Sequence, residues 1–165
     1  MSGERRPIEV RTRLQPGDLG EIVRLHGVLY AREYGFDQTF EAYVAAPLAQ
    51  FAKTGCPRER IWIAEQNDEI VGCIAIVGHS PRVAQLRWFL VSPDARGGGL
   101  GKRLVREAVQ FCEEAGYESV ILWTVSALTA AAHLYRSAGF VKVEEKPERQ
   151  WGVDVIEERY ELRLR

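Results

Sequence analysis

Three consecutive glycines, Gly97-Gly98-Gly99, stand between an apolar run ending at Val91 and a segment in which Leu100, Leu104, Ala108, Phe111 and Ala115 recur at helical spacing. Glycine at such a junction costs backbone entropy, so a run of three needs a reason. A tight strand-to-helix connection is one, although one or two glycines suffice for it. Anion binding is the other: glycines leave backbone N–H groups unobstructed, and a helix N-terminus turns its partial positive charge toward a phosphate. Arg96, Lys102 and Arg103 add flanking positive charge. Two nucleotide signatures fail here. A P-loop ending at Gly101-Lys102 requires glycine at position 96 and Ser or Thr at 103, where Arg96 and Arg103 stand. A dinucleotide fingerprint begun at Gly97 requires glycine at 102, where Lys102 stands.

Other chemistries find less support. Cys56, Cys73 and Cys112 are odd in number and far apart, against a disulfide framework, and they read as packing or incidental residues. His26, His79 and His133 are equally scattered, so no metal site is expected. The net charge of -1 provides no basic field for nucleic acid. No apolar stretch reaches the roughly 18 to 20 residues of a membrane span, and the polar N-terminus lacks a signal-peptide core. The expectation is a cytoplasmic protein forming one domain over residues 1–165, with 1–7 as a flexible tail.

The elements that must position the glycine run follow from periodicity. Ile8, Val10, Thr12 and Leu14 alternate as on a half-buried strand, and Pro16-Gly17-Asp18 breaks it and starts a helix. That helix carries Ile22, Leu25 and Leu29 and ends near Tyr34-Gly35. Asp37 caps a second, in which Pro47 predicts a kink or break. Residues 61–64 and 70–77 flank the polar turn Gln66-Asn67-Asp68-Glu69 and read as an antiparallel hairpin. Val83 to Val91 forms a strand, the segment from Leu100 a helix ending before Gly116, Ser119 to Val125 a buried strand, and Leu128 to Ala138 a helix closed by Gly139. Phe140 to Val143 reads as a strand, Lys146 to Gly152 as a polar loop, and Tyr160, Leu162 and Leu164 alternate as the last strand. The order predicts a mixed α/β (α+β) fold: a central twisted mixed sheet with helices on both faces.

On these elements the chain resembles the GNAT superfamily of acyl-CoA N-acyltransferases. Its signature, Arg or Gln, two residues, Gly, one residue, then Gly or Ala, is met by Arg96-Gly97-Gly98-Gly99-Leu100-Gly101. A second signature, a helix ending in Leu-Tyr before Gly-Phe, appears as Leu134-Tyr135-Arg136-Ser137-Ala138-Gly139-Phe140. The resemblance covers nearly the whole chain. More narrowly it is similar to the acetyltransferase half of MarR–GNAT fusion proteins, through the segment His26 to Gly35, Leu122-Trp123-Thr124, and Glu144-Glu145-Lys146 leading to Gln150-Trp151-Gly152. The DNA-binding half has no counterpart in these residues, so a regulatory role of such fusions does not carry over.

The resemblance implies an acetyl-CoA-dependent N-acetyltransferase acting on an amine acceptor, without a metal. The alternative is a non-catalytic acetyl-CoA sensor or interaction module. By position, Leu90 and Val91 would pair with the pantetheine arm, with Phe89 near the acetyl group and a backbone N–H there stabilising the oxyanion, while Arg96, Gly97, Gly98, Gly99, Leu100, Gly101 and Lys102 would hold the pyrophosphate. Tyr135 would be the general acid toward the departing thiolate. Many relatives carry a cofactor-contacting Asn where this chain has Leu128; Thr124, Ser126 or Thr129 are the available replacements. Glu33 is the candidate base, ahead of His26 and His133, which read as surface or core-edge residues. Tyr30, Tyr34 and Trp151 are candidate acceptor contacts, whereas Trp88 and Trp123, on predicted strands, read as core. A homodimer, common among relatives, is a further implication.

Overall fold

The computed structural model describes residues 3–165; the first two residues of the expected tail lie outside the described residues. Seven strands form one sheet in the order β1-β2-β3-β4-β5-β7-β6. They are β1 (Glu9–Arg11), β2 (Arg60–Gln66), β3 (Glu69–Gly78), β4 (Val83–Val91), β5 (Ser119–Val125), β6 (Val141–Gln150) and β7 (Val153–Arg163). Neighbours are antiparallel except β4 and β5, which run parallel. Helices α1 (Asp18–Tyr34) and α2 (Gln38–Thr54) cover one face, α3 (Leu100–Glu114) and α4 (Thr129–Ser137) the other. The sheet's alternation serves both cores: Trp62, Ile74, Ile76 and Leu122 pack with α3 and α4, while Ile61, Ile63, Cys73 and Val125 pack with α1 and α2. The predicted mixed sheet with helices on both faces is what the chain forms. Among the described residues no helix is long and apolar enough to cross a membrane.

Three expectations are corrected. Pro47 lies inside an uninterrupted α2. The first strand keeps only Glu9–Arg11, and the Arg11 side chain donates to Asp18 at 2.7 and 2.8 Å, tying β1 to the start of α1. The expected loop Lys146 to Gly152 is mostly strand: β6 runs to Gln150 and pairs with β7 across a two-residue turn, Trp151-Gly152. Both turn residues have positive φ, 53° and 80°, as a tight hairpin between right-twisted strands requires.

Candidate active site

The parallel pair that holds the sheet's centre is short. β4 and β5 pair only over Val83–Gln85 and Ser119–Ile121, and beyond them the strands part. Within β4 the register against β3 shifts between Cys73 and Ala75, and Trp88 takes a φ of 51°. A one-residue bulge reverses which face each side chain meets. Accordingly Ala84 and Leu86 pack toward α3, whereas Trp88 and Leu90 pack toward α1 and α2, and Phe89 turns to the α3 side. The displaced carbonyl of Trp88 accepts the Cys73 thiol at 3.1 Å.

Two cavities enter the gap from opposite ends. The first is the cradle, lined by Phe89, Leu90, Val91, Arg96, Gly97, Gly99, Leu100, Gly101 and Lys102 with Thr129 and His133 of the α4 side. Its glycines have different reasons. Gly97 and Gly99 have φ of 86° and 83°, which disfavour any side chain. Gly101 is closely packed: a Cβ there would stand 2.8 Å from Leu134 Cδ1, so the leucine side chain would have to shift. Gly98, with neither constraint, is off the cavity wall. The N-terminus of α3 has no side-chain cap and no acid in its first turn, and it carries Lys102 and Arg103. Cations at the positive end of a helix are unfavourable by themselves, and a bound anion reverses the sign. This charge arrangement fits a pyrophosphate.

Arg96 is held in place on the same rim. Its Nε donates to the Val91 carbonyl at 3.0 Å, and its terminal nitrogens donate to both oxygens of Glu33 at 2.7 and 3.2 Å. The pair keeps the guanidinium charged, chiefly through the Glu33 hydrogen bonds. Glu33 therefore lines the cradle and not the second cavity.

That second cavity is aromatic. Tyr30, Phe36, Phe40, Tyr43, Trp88, Trp123, Tyr135 and Trp151 line it, together with His26, Thr124, Arg87 and Glu157. Trp151 reaches it from the β6–β7 turn, its ring 4.9 Å from Phe36, 5.0 Å from Phe40 and 5.4 Å from Tyr43. Tyr30, Phe89 and Leu128 line both cavities, so the two meet there. Tyr30 directs its hydroxyl at the Phe89 carbonyl at 3.5 Å. Tyr135, buried, packs on Phe89 with ring centroids 5.9 Å apart. Burial pushes the phenol pKa of both tyrosines above the ordinary value, so each keeps its proton. Tyr34 lies toward the cradle.

Of the replacements for the missing Asn, Thr129 reaches the cradle, Thr124 the aromatic cavity, and Ser126 neither. Trp88 is buried as expected, but Trp123 is 38% exposed, because α1 and α2 do not cover the outer part of β5. Burial raises the Cys73 and Cys112 thiols to about 12, so neither is a nucleophile at neutral pH.

His26 is also corrected: it is only 3% exposed. Its Nδ1 lies 2.8 Å from the Ile22 carbonyl, which fixes that nitrogen as the donor, and its ring stacks on Tyr30 at 5.8 Å. Nε2 and the Thr124 hydroxyl oxygen are buried without partners. The signal was present in the sequence, since Ile22, His26 and Leu29 fall on one helical face. Arg87, also missed, takes its side by plain alternation with Ala84 and Leu86, and the bulge that follows brings Trp88 to that same side, a change that leaves no periodic trace.

Comparisons with known proteins bear on the family and the fold. A family model described as Acetyltransferase (GNAT) family matches residues 28–140. An uncharacterised N-acetyltransferase of Schizosaccharomyces pombe is 32% identical over 117 residues, covering 70% of this chain and 72% of that protein. N-acetyltransferase family 8 member 3 of Rattus norvegicus is 38% identical over 89 residues, 51% of this chain but only 39% of that relative's length. The crystal structure of spermidine N-acetyltransferase from Vibrio cholerae in complex with CoA and spermine has a TM-score of 0.72 at 20% identity, over 94% of this chain and 95% of that one. At that identity the likeness is one of fold.

Proposed function

Because the chain belongs to the GNAT family of acetyltransferases, we propose that it transfers the acetyl group of acetyl-CoA directly to a primary amine of a small molecule, peptide or protein. The observation that carries this reading is the meeting of the cradle with the aromatic cavity at Tyr30, Phe89 and Leu128, where β4 and β5 part. An anion site on one side, an organic pocket on the other and a buried phenol at the junction are what acyl transfer between two bound molecules requires.

The roles follow from position. The uncapped α3 N-terminus, Gly97, Gly99, Lys102 and Arg96 hold the pyrophosphate, with Glu33 orienting Arg96. The β4 edge from Leu86 to Val91, unpaired toward β5, holds the pantetheine amides and presents an N–H to the thioester oxygen. Acetyl-CoA supplies the acetyl group as a thioester and leaves as the free thiol. The amine nitrogen forms its bond to the carbonyl carbon as the carbon–sulfur bond breaks, and Tyr135 gives its hydroxyl proton to the departing sulfur. The proton lost by the nitrogen restores Tyr135. The amine arrives neutral, having lost its ammonium proton to solvent. Glu33, its oxygens engaged by Arg96, serves to position that arginine.

Tyr135→Phe should lower kcat about a hundredfold, the scale of a lost general acid, while leaving KM for acetyl-CoA within about twofold. Thiol release with an amine panel checks this. An unchanged kcat, with the chemical step shown to be rate-limiting, would remove Tyr135 from the mechanism. Acetyl-CoA binding without thiol release on any amine would replace transfer by a sensing role.

A further inference from the structure

The aromatic cavity carries three polar groups with no partner or no counter-charge. Nε2 of His26 and Oγ1 of Thr124 are buried and make no hydrogen bond. A buried polar atom left unpaired is destabilising, and at a cavity wall a ligand can satisfy it. Since Nδ1 of His26 donates to Ile22, Nε2 presents a lone pair and accepts. Thr124 can donate or accept.

The third group is Arg87. The β4 bulge puts Arg87 and Trp88 on the same side of the sheet, and the guanidinium carbon lies 5.1 Å from the Trp88 ring and 5.9 Å from the Tyr43 ring. Among the described residues Arg87 has no acidic partner within salt-bridge distance. The acid on the cavity wall, Glu157, is met by Lys146 at 3.7 Å. A polycationic acceptor would find one carboxylate, already compensated, and an uncompensated arginine. An anionic group would find a planar guanidinium laid on aromatic faces, which keeps its in-plane donors free. Aromatic rings also separate the two ends. His26 stacks on Tyr30 at the junction of the cavities, Tyr30 stacks on Phe40 at 4.6 Å, and Phe40 on Tyr43 at 6.2 Å, beside Arg87.

We propose that the acceptor is a primary amine whose apolar, ring-sized body carries a carboxylate. Arg87 binds the carboxylate, Phe40, Tyr43, Trp88 and Trp151 enclose the body, and His26 Nε2 with the Thr124 hydroxyl receives the amine end at Tyr30. The assignment rests on the acetyl-transfer reading of the same cleft and deepens it by naming the acceptor class.

The test compares 4-(aminomethyl)benzoate with benzylamine, phenylalanine with phenethylamine, and spermidine, each by thiol release and by calorimetric binding to the coenzyme A-saturated protein. At least one carboxylated member should exceed its carboxylate-free counterpart about tenfold in kcat/KM and in affinity, and spermidine should be poorest. Arg87→Met should abolish that preference and leave KM for acetyl-CoA unchanged. His26→Phe, which keeps a ring against Tyr30, and Thr124→Val should raise KM for both members of a pair alike. Equal or better use of the carboxylate-free amines, or a preference that survives Arg87→Met, overturns the acceptor class. If no amine releases thiol, the transfer reading fails, and the binding ranks still decide the acceptor question.

Discussion

At the scale of single residues, His26 ties stability to pH. Burial is the larger influence on its pKa and the Ile22 carbonyl opposes it only in part, leaving the folded value at about 4 against an ordinary 6.5. Because the folded pKa is the lower one, the unfolded chain binds the proton first as pH falls. Stability is then full above about 6.5 and declines between about 6.5 and about 4, by about 3 kcal/mol if the whole shift is expressed. Urea denaturation at pH 7.5 and pH 4.5 should show a loss for the native chain that is smaller by about that amount in His26→Phe. An identical acid loss in the variant would mean that other groups carry it. The residue illustrates what sequence reading reached and missed. Arg96 and Tyr135 were legible because their motifs have fixed spacing. His26 fell on a legible helical face, but its free Nε2 depends on what lies opposite, which no local pattern encodes.

At the scale of elements, the β6–β7 hairpin decides the shape of the acceptor end. Nearly all of β6 is exposed, so beyond Val143 it shows no alternation of apolar and polar residues, and the charged segment from Lys146 reads as loop. Its strand character comes from the ladder with β7, a non-local cause. Ser119–Val125, with its buried apolar run Val120 to Leu122, was by contrast legible to its ends. The turn places a tryptophan at positive φ, a conformation that costs of order 1 kcal/mol or more for a bulky residue. Packing on Phe36, Phe40 and Tyr43 offsets the strain. Trp151→Asn should relieve the turn, since Asn-Gly suits it, while losing the aromatic contacts. A net stability loss of about 1–2 kcal/mol is expected, less than for a core tryptophan. Acceptor KM should rise severalfold with KM for acetyl-CoA unchanged. Unaltered acceptor kinetics would place Trp151 in a structural role alone.

At the scale of the whole molecule, two cores on opposite faces of one sheet share a short central seam. Only three residue pairs join β4 to β5, and the sheet opens where the cradle meets the aromatic cavity. A ligand laid along the β4 edge and anchored at the α3 N-terminus therefore touches elements of both faces: Leu29 and Glu33 of α1 and Ala131 and Leu134 of α4 line the same cradle. Binding confined to the folded state stabilises by mass action, about 2.7 kcal/mol at a hundredfold excess over Kd. For a chain of this size that corresponds to a rise in Tm of about 5–10 °C. Coenzyme A should produce this rise at low salt. Pantetheine, which lacks the pyrophosphate, should produce little, and the coenzyme A shift should shrink as ionic strength screens Arg96, Lys102 and the helix terminus. Lys102→Ala should reduce the coenzyme A shift without lowering Tm of the free protein, because Lys102 is exposed and makes no ion pair among the described residues. Equal shifts from pantetheine and coenzyme A would mean that the β4 edge, not the glycine turn, supplies the binding energy, and would remove the pyrophosphate from the cradle.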